Sequence, residues 1–97
     1  MQLAHTAADE ITITGNIKST DDYLAIRALV TGLQGLGAKA LTVRINESLS
    51  MPSSVIGFFV KLANRDRIRL TMLIQDPRLL ELLEELCLVE TFGARLG

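Results

Sequence analysis

Four serines, Ser48, Ser50, Ser53 and Ser54, stand just ahead of the longest apolar run of the chain, Val55 to Val60, in the stretch SLSMPSSVIGFF. Pro52 is a residue favoured in the first turn of a helix, so the spacing predicts a helix that starts among these hydroxyls. At such a start several backbone N–H groups lack intrahelical partners and the helix dipole is positive. A serine there can accept one of those N–H groups as a cap. A phosphate on the same serine would be held by the same donors and would add about −1.5 to −2 charges. Capping is the ordinary use of serine at this place, and local chemistry leaves both uses open.

Other residues with reactive side chains lack the neighbours that would activate them. Cys87 lies in ELCLVE among leucines, with no histidine or second cysteine beside it, and is expected to be inert packing. His5 has no partner to set its tautomer and is expected at the surface. The pairs Asp21/Asp22 and Glu84/Glu85 fall in helical segments, where adjacent side chains diverge, so they suit capping and solvation better than acid–base work. Gly32, Gly35 and Gly37 lie at a helix end rather than between a strand and a helix start, and so form no phosphate-cradling loop. Lys61, Arg65, Arg67 and Arg69 make a basic cluster, either a solvated edge or a dock for an acidic partner. No nucleophile has a base or metal visible in the sequence, and neither metal nor cofactor is expected.

Positioning these groups falls to a chain of 97 residues, 48% hydrophobic and 22% charged, which predicts one folded domain over residues 1–97. The net charge of −1 supplies no field to draw in nucleic acid or an anionic membrane. One tyrosine, three phenylalanines and no tryptophan also argue against stacking platforms for single strands. With one cysteine and no basic, apolar leader, the expected compartment is the cytoplasm.

The periodicity predicts alternating elements. Ile11-Thr12-Ile13-Thr14 alternates as a half-buried strand, preceded by a weaker edge strand within Met1 to Glu10. Ser19-Thr20-Asp21-Asp22 offers a cap for a helix over Thr20 to Leu36, and Leu41, Val43 and Ile45 mark the next strand. The serine-led helix closes at Asn64-Arg65-Asp66, Ile68 to Ile74 alternate as a strand, and Asp76-Pro77 opens a third helix through Leu79, Leu80, Leu82, Leu83 and Leu86. Short connections and strand–helix alternation predict an α/β fold with a mixed, mostly parallel sheet of four to five strands covered by three or more helices. The tail Gly93 to Gly97 is expected to be loosely held.

Three stretches resemble a STAS domain, the fold shared by anti-sigma factor antagonists and the cytoplasmic tails of sulphate transporters. ALTVRINES resembles the strand before the switch. MPSSVIG resembles the Asp-Ser-Ser-Gly-Leu-Gly motif that opens the second helix. DPRLLELLEELCLVETF resembles the closing helix with its terminal Leu-x-x-x-Phe, which places Leu88 and Phe92 at apolar anchor positions. The chain departs from the motif in having Pro52 for aspartate, Val55 for glycine, and Arg44 where the preceding strand often has a second aspartate. An arginine near the serines would favour a phosphate.

The resemblance implies a STAS-like regulator that is not an enzyme and acts by phosphorylation-controlled protein–protein binding. Ser53 matches the phosphoacceptor, with Ser54 or Ser50 as alternatives. Met51, Pro52, Ser53, Ser54, Val55 and Gly57 form the implied partner-binding stretch. The implied partners are a serine kinase that doubles as an anti-sigma factor and a serine phosphatase, in a bacterial partner-switching system that regulates transcription. A related branch implies activation of an enzyme that makes cyclic dinucleotides. A constitutive interaction module, with Ser53 only a cap, is the remaining alternative.

Overall fold

The computed structural model describes residues 1–97. Nine elements follow in order: β1 (Gln2–Ala7), β2 (Glu10–Thr14), α1 (Thr20–Gly35), β3 (Ala40–Asn46), α2 (Ser53–Asn64), β4 (Arg69–Ile74), α3 (Pro77–Glu85), α4 (Val89–Phe92) and β5 (Ala94–Leu96). The strands form one five-stranded sheet in the order β1-β2-β3-β4-β5. β1 pairs antiparallel with β2 as a hairpin, and the β2/β3, β3/β4 and β4/β5 pairs are parallel, each joined through helix. The fold is therefore α/β with a mixed sheet and four helices.

α1 packs on α2, α2 on α4 and α3 on α4, so the helices lie together on one side of the sheet. The burial pattern agrees. Ile11, Ile13, Leu41, Val43, Ile45, Leu70, Met72, Ile74 and Ala94 are buried, whereas their alternate neighbours along each strand are not. These residues join Ile26, Val30 and Leu33 of α1, Val55, Phe59 and Leu62 of α2, Leu79 and Leu83 of α3 and Phe92 of α4 in one core of 21 residues. Phe59 and Phe92 meet edge to face, with ring centroids 6.2 Å apart, and lock α2 against α4. The other face of the sheet carries no helix.

Three expectations for the C-terminal third are corrected. The helix opened at Asp76-Pro77 ends at Glu85, as its apolar spacing predicts, but the stretch that resembles one closing helix through Phe92 is two helices, α3 and α4. Leu86 caps α3, Cys87 turns left-handed with φ 58°, and the N–H groups of Cys87 and Leu88 donate back to the carbonyls of Glu84 (3.0 Å) and Leu83 (2.9 Å). This is a Schellman ending in which a cysteine holds the place that glycine ordinarily takes. Cys87 is thereby exposed instead of packed among leucines.

The tail is a strand. Gly93, at φ 55°, turns the chain so tightly that a Cβ there would collide with the Leu70 carbonyl oxygen. From that turn Gly93 and Gly97 join the free edge of β4: Met72 N–H donates to the Gly93 carbonyl (3.1 Å) and Gly97 N–H to the Ile74 carbonyl (3.1 Å). The unpaired backbone of β4 supplies the partner that periodicity could not foresee in so short a segment.

Candidate functional site

The serines sit where β3 hands over to α2, at the carboxyl end of the parallel strands. The handover loop, Glu47 to Pro52, is pinned on both sides. Ser48, fully buried, donates its hydroxyl to the Gly15 carbonyl, and Leu49 N–H donates to Asn16 Oδ1 (3.0 Å), tying the loop to the one after β2. Glu47, in the left-handed region at φ 59°, donates its N–H to Gln75 Oε1 (2.9 Å), tying it to the loop after β4. Met51 plugs the loop into the core.

Pro52, extended at φ −60° and ψ 150°, is the N-cap of α2 and supplies no side-chain cap. Its carbonyl accepts from Val55 N–H (3.0 Å) and Ile56 N–H (3.0 Å). The N–H groups of Ser53 and Ser54, the first two helical residues, have no protein partner, and neither do their hydroxyls. Of the two uses open to these serines, capping of α2 is not the one the fold makes. Proline, fixed near φ −65°, starts the helix by backbone geometry and leaves both serines exposed.

α1 is capped differently. Ser19 Oγ accepts from Asp22 N–H (3.1 Å), while Asp22 returns a carboxylate oxygen to Lys18 N–H (3.0 Å). Lys18, Ser19, Thr20 and Tyr23 of this start face Pro52 and Ser54 across an open groove. Tyr23 also meets Phe58 edge to face, centroids 6.3 Å apart, which fixes the two helix starts side by side. Ser54 therefore faces the groove shared with Lys18, and Ser53 lies outside it.

Of the six residues expected to contact a partner, Ser53, Ser54 and Gly57 are exposed and Pro52 is half-buried. Met51 and Val55 are in the core, because loop anchoring and the apolar face of α2 both turn them inward. Gly57 is one helical turn from Ser53, and a Cβ there would meet nothing within 4 Å. Ser50 is exposed in the pinned loop. Leu49, 43% exposed beside it, is an apolar contact that no motif signalled. Asn16 and Gln75, which hold the loop together with Ser48, were also missed; only the polar character of these loop residues hinted at a role.

Arg44 does not attend the serines. It lies on the helix-free face of the sheet, where its Nε donates to Glu10 Oε1 (2.8 Å). α2 packs on the opposite face, so strand alternation keeps this arginine from its first turn. The hydrogen bond from Thr6, and then the one from Arg44, hold the Glu10 carboxyl below its ordinary pKa. His5 is exposed on β1, and its ring lies 3.3 Å from the Ala8 carbonyl. Leu88 is half-buried against the core, and Phe92 is fully buried in it. No three His, Cys, Asp or Glu side chains gather where they would share a metal ion. No helix is long and apolar enough to cross a membrane.

Comparisons with protein-family models, with curated proteins and with solved structures give no significant match for this chain.

Proposed function

We propose that the chain is a STAS-like regulator that binds protein partners under the control of phosphate on Ser53. One observation carries this reading: Ser53 presents a free, exposed hydroxyl on the first turn of a helix whose own cap is a proline. The hydroxyl has no structural task, yet the loop before it is held by hydrogen bonds to both neighbouring loops. A modifying enzyme would find it in one place. The strand order, with an N-terminal hairpin followed by parallel strands, also supports the resemblance.

A phosphate on Ser53 would lie beside the free N–H groups of Ser53 and Ser54, at the positive end of α2, with no carboxylate in the first turn to oppose it. It would strengthen the helix start by about 0.3 to 1 kcal/mol, so the modified domain stays folded. Its effect falls on the docking surface formed by Leu49, Pro52, Ser53, Ser54 and Gly57. There a dianion opposes burial against an apolar partner and repels acidic groups, and dephosphorylation restores binding. The ATP belongs to the partner kinase.

The test is to isolate the protein from its own cell, map phosphate by mass spectrometry, and compare the partners of Ser53→Ala and Ser53→Asp variants. Phosphate on Ser53, with a partner retained by one variant and lost by the other, is the expected result. Absence of phosphate from Ser50, Ser53 and Ser54 together with identical partners for both variants would overturn the proposal.

A further inference from the structure

The helix-free face of the sheet is a feature of the fold that the Ser53 reading leaves unused. Parallel strands are ordinarily covered on both faces, yet β2 to β5 form a parallel block with one face bare. Register places the residues of that face in rows. Thr12, Arg44, Leu73 and Arg95 lie side by side across β2 to β5, and Glu10, Thr42 and Thr71 form the next row. Arg69 opens β4 on the same face, four residues before Leu73.

The charge of this face is one-sided. Its only carboxylate, Glu10, is taken by Arg44. The other ion pair of the fold, Asp76 with Arg78, lies elsewhere, so Arg69 and Arg95 are exposed cations without a carboxylate partner. Lys61, Arg65 and Arg67 extend the positive charge around the start of β4, where Asp66, the single acid among them, accepts from Gln34. Arg44 and Arg95 are two strands apart, about 10 Å, with the half-buried Leu73 between them.

From this arrangement we infer that the bare face docks an acidic protein segment, with carboxylates meeting Arg69 and Arg95 and an apolar group resting on Leu73. A second copy does not fit, because facing two such surfaces would oppose arginine to arginine. Nucleic acid is a poor match. The chain has a net charge of −1, and Tyr23, Phe58, Phe59 and Phe92 all belong to helices on the other side. Guanidinium groups take carboxylates in paired hydrogen bonds, and threonine hydroxyls beside them accept or donate as required. This docking stands independently of phosphate on Ser53.

The probe is a short peptide alternating glutamate and alanine, titrated into the isotope-labelled full chain at low salt, with its glutamine counterpart as control. Shifts of backbone amides in β3, β4 and β5 that fade as salt is raised are expected for the glutamate peptide alone. Replacing both cations, Arg69→Gln with Arg95→Gln, should weaken binding about threefold to tenfold while the remaining spectrum shows an intact fold. No shifts, equal shifts with the glutamine peptide, or shifts confined to Lys61 to Arg67 would overturn the inference. So would binding of a short oligonucleotide in place of the peptide, or line broadening with concentration that signals self-association.

Discussion

Ser19, Ser48 and Ser53 differ in what their hydroxyls do in the fold, and replacing each by alanine should separate them in a single stability assay. Ser19 caps α1 through Asp22 N–H, so Ser19→Ala should cost about 1 kcal/mol. Ser48 is buried and donates to the Gly15 carbonyl; Ser48→Ala leaves that acceptor unpaired beside a small void and should cost about 1 to 3 kcal/mol. Ser53 is exposed and makes no cap bond, so Ser53→Ala removes nothing from the folded state. Alanine is also the better helix former, which leaves a change between zero and a few tenths of a kcal/mol in favour of the variant. For a domain of this size, each kcal/mol moves the thermal midpoint by about 4 to 8 °C. Scanning calorimetry should therefore show clear falls for Ser19→Ala and Ser48→Ala and no fall for Ser53→Ala. A drop of about 4 °C or more in Ser53→Ala would refute the reasoning, since it would mean that the hydroxyl caps α2 after all.

Other consequences follow from particular backbone positions and ion pairs. Gly57→Ala should stabilise the fold by about 0.8 to 1 kcal/mol in urea denaturation, because the added methyl meets nothing and the helix gains propensity. Cys87→Gly should also stabilise it, by about 1 kcal/mol, by relieving a side chain held at positive φ; a core cysteine would give the opposite sign. Gly93→Ala should cost at least about 1 to 3 kcal/mol and expose Ala94 to Leu96 to rapid hydrogen exchange, because its Cβ has no room against Leu70. The Asp76 carboxyl is held below its ordinary pKa by the Arg78 guanidinium, then by Arg78 N–H at the start of α3. A lowered carboxyl pKa means that this contribution is complete above the unfolded-state pKa and disappears as pH falls through the folded-state pKa. Asp76→Asn should therefore flatten the acid limb of the stability–pH curve, and an unchanged limb would count against the ion pair.

Much of the secondary structure was legible because each signal was local. Ile11 and Ile13, Leu41, Val43 and Ile45, and Leu70, Met72 and Ile74 alternate over a period of two, and Ser19 and Asp76 are caps that act within three residues of themselves. The serine stretch was legible as a helix start for the same reason. Its inner workings were less so. A cap and a free hydroxyl have the same sequence neighbours, and only the backbone path through Pro52 decides between them. Burial of Met51 and Val55 depended on the direction in which loop and helix turn their side chains.

The sequence alone determined the kinds and order of the main elements, since alternation, capping and proline placement act over a few residues. Tertiary structure decided what depends on contacts between distant residues. It broke the closing helix at Cys87, where Leu88 N–H returns to the Leu83 carbonyl, and drew the tail onto the open edge of β4. It also separated Arg44 from the serines by a whole sheet and gave Ser48 a structural bond while leaving Ser53 free. The physical reason is the same throughout: a hydroxyl, a guanidinium or an edge carbonyl acquires its task from the partner that folding brings to it, and that partner can lie anywhere in the chain.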